Sequence, residues 1–126
     1  MNPTGYRLHI APYTGRVQVR WRGELIADTT EAVRLEETRH EPIYYVPRKD
    51  ARMDLFERST RSTHCPHKGD ASYFTLVAPT GARAENAVWS YETPIATSGA
   101  IKQLLAFYTA DMGADFGLAV TAMPTG

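Results

Sequence analysis

Cysteine is almost missing from this chain. There is one in 126 residues, Cys65. An internal disulfide is therefore excluded, and a reducing compartment, the cytoplasm, is the simplest home. The usual structural zinc site takes four Cys or His ligands, mostly in two spaced pairs. Here Cys65 is accompanied only by His9, His40, His64 and His67, none at paired spacing. No metal and no cofactor is expected.

Long apolar runs are lacking too. No stretch approaches the ~20 residues of a membrane-spanning helix. Met1 to Tyr13 has no apolar core of a secretory signal. The reading is a cytoplasmic protein of bacterial type with no membrane partner. Nor does either sign of charge dominate: Lys+Arg and Asp+Glu are both 14, for a formal net charge of zero. A nucleic-acid-binding domain carries a basic excess. The basic stretch Arg48, Lys49, Arg52, Arg58 and Arg61 is interleaved with Asp50, Asp54 and Glu57, so it reads as a solvated face. Nucleic acid is not an expected partner. Repeats and low-complexity segments are absent. So are the long crossover helices of a parallel sheet.

What is present is ordinary for one globular domain over 1–126: 43% hydrophobic and 22% charged residues. Val17, Val19 and Trp21 alternate with Gln18, Arg20 and Arg22, a half-buried strand. Gly23-Glu24 reads as a turn into a strand at Leu25–Ala27. Further strands are expected at Ala32–Glu37, Ile43–Val46, Ala71–Ala78 and Val88–Tyr91, and one after Leu104. Asp50 to Glu57 predicts a short helix capped by Asp50, and Ser98 to Leu104 a second. Ser59 to Gly69 has almost no apolar content and reads as a loop. The tail, 113–126, is Gly-rich and is expected to be ordered only in part. About seven short strands with one or two small helices predict a mainly β domain, antiparallel, of sandwich or small-barrel type.

The ordered set Trp21-x-Gly23, Leu35-Glu36, Tyr44-Tyr45-x-Pro47, Thr63-x-Cys65-Pro66-x-Lys68-Gly69-x-Ala71-x-Tyr73, Val88-Trp89-x-Tyr91-x-x-Pro94 and Ile101 with Ala106-Phe107-Tyr108 resembles the domain of unknown function 427. The resemblance runs from about Gly15 to Asp111. It implies a β-tent, two small sheets meeting steeply around a pocket. Relatives of that architecture include zinc-pinned domains that hold small ligands in aromatic cages. The cysteine pairs of those relatives are missing here, so core packing replaces the metal. The family also carries a nucleotidyltransferase-like label. Polymerase-beta-type transferases need a Gly-Ser followed by paired acidic ligands. The chain contains no Gly-Ser, no Asp-x-Asp and no Walker loop.

The densest chemistry lies in His64-Cys65-Pro66-His67-Lys68-Gly69-Asp70, a polar, proline-stiffened turn suited to a rim or pocket. Lys68 is the strongest single candidate. Gly69 lets backbone approach a ligand closely, and the ammonium can meet a carboxylate, phosphate or carbonyl. The competing role is a structural bridge to Glu36 or Asp70. Cys65 is either a reactive thiol beside His and Lys or a small residue packed under the turn. Among seven strand aromatics, most must pack the core, and two or three are expected to face a cavity. Glu36, Tyr45, Cys65, Lys68, Tyr73 and Trp89 are thus the expected ligand-binding set. The function class is a small-ligand pocket, as a binding module or an unassigned enzyme with no catalytic residue assigned. The alternative is a structural or protein-interaction module. The expected partner is a small molecule, and a homodimer stays open.

Overall fold

The computed structural model describes residues 5–125. Ten strands follow one another: β1 (Leu8–Pro12), β2 (Gly15–Trp21), β3 (Glu24–Thr29), β4 (Val33–Glu37), β5 (Ile43–Tyr45), β6 (Phe56–Cys65), β7 (Gly69–Val77), β8 (Arg83–Tyr91), β9 (Ala106–Phe107) and β10 (Leu118–Pro124). They form three antiparallel sheets, ordered β1-β4-β5, β10-β2-β3 and β6-β7-β8-β9. The architecture is a mainly β sandwich without a closed barrel. Among the described residues helical content is limited to short 3₁₀ turns. Among the described residues no helix is long and apolar enough to cross a membrane.

Period two in the sequence decides which faces are buried. In β2, Val17, Val19 and Trp21 are 0–4% exposed, while Arg16 and Arg20 face water. Arg22 and Gly23, with φ of 52° and 86°, make the two-residue turn into β3, a geometry matched to strand twist. β7 is buried on both faces. Phe74 and Leu76 point into a core shared with Val17, Val19 and Ile26 of the β10-β2-β3 sheet. Ala71 and Tyr73 point the other way, into a second core with Leu35 and Tyr45 of the β1-β4-β5 sheet. The four-stranded sheet is therefore the middle layer, with a core on each side. Each fully buried Val, Leu or Ile side chain contributes about 1.5–3 kcal/mol.

Several expectations need correcting. Ser59 to Cys65 is strand, not loop. β6 pairs with β7 from Phe56↔Leu76 to Cys65↔Gly69, with an irregularity between Arg58 and Ser62. Its side chains are mostly exposed because it is an outer strand, held by ladder hydrogen bonds rather than by burial. The expected helix at Asp50–Glu57 is two 3₁₀ turns, Arg48–Asp50 and Met53–Leu55. Between them Ala51 bridges Ala27, and the Arg52 N–H donates to the Ile26 carbonyl, which pulls the chain onto β3. Asp50 accepts the Thr29 hydroxyl at 2.7 Å and caps nothing. The second helix is a 3₁₀ segment, Ala96–Ile101, kinked at Ser98.

Both chain ends supply strands that were not foreseen. β1 runs along β4, and the segment 118–124 of the tail pairs along the whole of β2. Gly15 shows how closely these ends meet. Its φ is 152°, and a Cβ there would fall against the Met123 carbonyl and 2.8 Å from the Pro124 Cα.

Candidate functional site

The β6–β7 turn, Pro66 to Lys68, is fixed by its backbone. The Lys68 N–H closes it by donating to the Cys65 carbonyl at 3.2 Å. From outside, the Ser98 hydroxyl donates to the His67 carbonyl at 2.9 Å and the Ile95 N–H to the Lys68 carbonyl at 3.0 Å. With both carbonyls tied to the segment before Ile101, the Lys68 side chain turns inward and is 12% exposed. Gly69 has φ of 112°, a conformation that favours glycine. The backbone it lies against is Thr93–Ile95, not open ligand space.

The Lys68 ammonium donates to Glu37 Oε1 at 2.9 Å. Glu36, the expected partner, is elsewhere: it is exposed and lies 3.7 Å from Arg34. The reason is strand alternation. Leu35 is buried, so Glu37 shares its inward face and Glu36 points out. Tyr6 donates its hydroxyl to Glu37 Oε2 at 2.8 Å and stacks on His67, with centroids 4.2 Å apart. Burial pushes the Glu37 carboxyl up, but hydrogen bonds from Lys68 and Tyr6, with the charges of Lys68 and His40, outweigh it and hold it below the usual range.

Beside this pair lies a cavity of about 490 Å³. Its walls are Tyr45, Tyr73, Trp89, Tyr91 and Tyr108, with Lys68 and Glu37 among the lining groups. The ladder explains the grouping. Tyr73 and Trp89 are directly opposed on β7 and β8, and Ala71 faces Tyr91. Trp89 is opposed on β9 by the small Ala106. That leaves room for Tyr108 to pack on the indole, 4.5 Å between centroids. Trp89 Nε1 donates to the Tyr45 hydroxyl at 3.2 Å. The Tyr73 and Thr63 hydroxyls are bonded at 2.8 Å, and the Arg61 guanidinium covers the Tyr73 ring. Burial, then the neighbouring Tyr73 phenol, pushes Tyr108 up to about 12, and burial raises Tyr45 and Tyr91 further. These phenols are neutral donors at physiological pH. The outer wall is the β4–β5 loop, with Arg39, His40 and Glu41, together with Asp111 and Met112.

A family model for a domain of unknown function (DUF427) matches residues 9–116. The chain belongs to the DUF427 family. No curated protein matches it. The matched span reaches further at both ends than the resemblance from Gly15 to Asp111, taking in most of β1 and five residues after Asp111.

Within this DUF427 fold, four expected site residues, Tyr45, Lys68, Tyr73 and Trp89, line one cavity. Glu36 does not. Cys65 is half-buried behind it, packed against the second core and near Tyr6, Tyr45 and Tyr91. His64 points to solvent and pairs with Asp70 at 2.7 Å. Among the described residues no three His, Cys, Asp or Glu side chains converge as metal ligands. Glu37 was not among the candidates; Tyr91 and Tyr108 were among the seven strand aromatics but outside the expected set, and five aromatics line the cavity rather than two or three. Counting by two from Leu35 would have selected Glu37, and counting by two from Trp89 selects Tyr91.

Proposed function

We propose that this DUF427 chain is a small-molecule-binding module whose ligand enters the aromatic cavity and is held by Lys68. The observation that carries the reading is a lysine, 12% exposed, on the wall of a 490 Å³ cavity to which four phenols and an indole contribute. That size lies within the ordinary ligand-pocket range. Aromatic walls exclude water and strengthen each polar contact made inside. The Lys68 ammonium has three donors, and Glu37 takes one. Because Glu37 also neutralises its charge, a carbonyl-bearing ligand suits the site better than a full anion.

The pairing itself favours a second reading, in which Lys68 and Glu37 merely fasten the β6–β7 turn to β4. The test is ligand-observed NMR with a library of small aromatic amides and acids, repeated on Lys68→Met. A ligand contact is expected to weaken binding by about 1.5–3 kcal/mol, the scale of a hydrogen bond from a charged group. Hits that bind both proteins equally, with only the melting temperature lowered in the variant, would establish the structural reading.

A further inference from the structure

Two features of the cavity are left unused by the Lys68–Glu37 pair. The first is Tyr91. It is 6% exposed and lines the cavity, yet among the described residues its hydroxyl has no hydrogen-bond partner. It is not sealed off either, since Arg34 holds the sole enclosed and unpartnered side-chain nitrogen or oxygen among the described residues. A buried phenol almost always finds a partner, so this hydroxyl is free for a ligand acceptor on the same wall as Lys68.

The second feature is a neighbouring cavity of about 540 Å³. It shares Glu41, Ile43, Asp111 and Met112 with the aromatic cavity, so the two adjoin at these residues. Its lining also includes Tyr44, Phe107 and Val120. The shared boundary carries two carboxylates, Glu41 from the β4–β5 loop and Asp111 from the turn after β9. Neither has an ion-pair partner among the described residues. Once Lys68 and Glu37 cancel, Arg39 is the remaining lysine or arginine on the lining, set against these two acids.

We propose that the ligand is two-headed: a carbonyl-type acceptor meets Tyr91 and Lys68 in the aromatic cavity, and a cationic amine sits between Glu41 and Asp111 where the two cavities join. This deepens the small-molecule reading above and rests on it. A single-headed carbonyl compound would fill one cavity and leave the two carboxylates at the boundary without a counter-charge. A protonated amine placed there gains the attraction of both charges.

The test uses 4-(aminomethyl)benzamide and 4-(hydroxymethyl)benzamide, equal in size and differing in the charge of one head. Affinities are read by NMR titration of the full chain at low salt. The amine is expected to bind about fivefold to tenfold tighter, the range for an amine between two exposed carboxylates at low salt. Glu41→Gln/Asp111→Asn is expected to abolish that advantage and leave the hydroxymethyl compound unchanged. Tyr91→Phe is expected to weaken both compounds alike. Equal binding of the two by wild type, or an advantage that survives the double substitution, overturns the two-headed ligand and leaves the carbonyl site standing. If neither compound binds, both readings fail for this class of molecule.

Discussion

Removing the Lys68 ammonium alone leaves the Glu37 carboxylate, 12% exposed, with one remaining hydrogen bond of known geometry, from Tyr6. Lys68→Met is therefore expected to destabilise the protein by about 1–3 kcal/mol, the cost of an under-satisfied buried group. Replacing both partners, as Lys68→Met/Glu37→Gln, is expected to recover part of that loss in chemical denaturation. A double variant no better than the single one would show that the two side chains are not energetically coupled. The same pair sets a pH dependence. Glu37 titrates below its ordinary 4.5 in the folded state. Its stabilising contribution is complete above the unfolded value and is lost as pH falls through the lower folded one. As pH falls below about 5, wild type is expected to lose melting temperature more steeply than Lys68→Met/Glu37→Gln. Parallel curves would contradict the assignment.

Among the elements, the segment 118–124 makes the sharpest claim, because a Gly-rich tail becomes the strand that flanks β2. Leu118 is 3% exposed inside the first core. Leu118→Ala is expected to cost about 2–5 kcal/mol in denaturant unfolding, as for other buried leucines. A change within about 0.5 kcal/mol, the range of ordinary surface substitutions, would mean that β10 is not part of the core. Gly15→Ala is expected to separate β10 from β2 at their tightest point and to lower stability by a comparable amount. The strands that were legible in the sequence are β2, β3, β4, β5, nearly all of β7, the aromatic half of β8 and the short β9, whose side chains carry the pattern. β6 was illegible because an outer strand of Ser, Thr and Arg needs only its backbone to pair. The 3₁₀ turns at Arg48–Asp50 and Met53–Leu55 were misread as helix because Met53, Leu55 and Phe56 mimic its spacing, whereas the Ala27–Ala51 bridge is a long-range event. At the site, single candidates were visible, but their convergence depended on register, which placed Tyr73 against Trp89 and Glu37 rather than Glu36 beside Lys68.

For the whole molecule, the shared middle sheet joins two cores into one cooperative unit. β7 sends Phe74 and Leu76 to one and Ala71 and Tyr73 to the other, so neither core can dissolve without stripping a face from the same strand. Thermal unfolding followed by backbone and by aromatic circular dichroism is expected to give coincident transitions. Two separated midpoints would mean that the outer sheets unfold independently. The division of aromatics between the cores has a practical side. The chain has two tryptophans. Trp21 is in one core, its ring N–H on the Phe116 carbonyl, and Trp89 is in the wall of the cavity in the other. In a Trp21→Phe protein the ultraviolet emission would come from one indole, hydrogen-bonded to Tyr45 and packed on Tyr108. Any molecule that displaced water from beside it would alter its colour and brightness, so the protein would report its own occupancy without a dye.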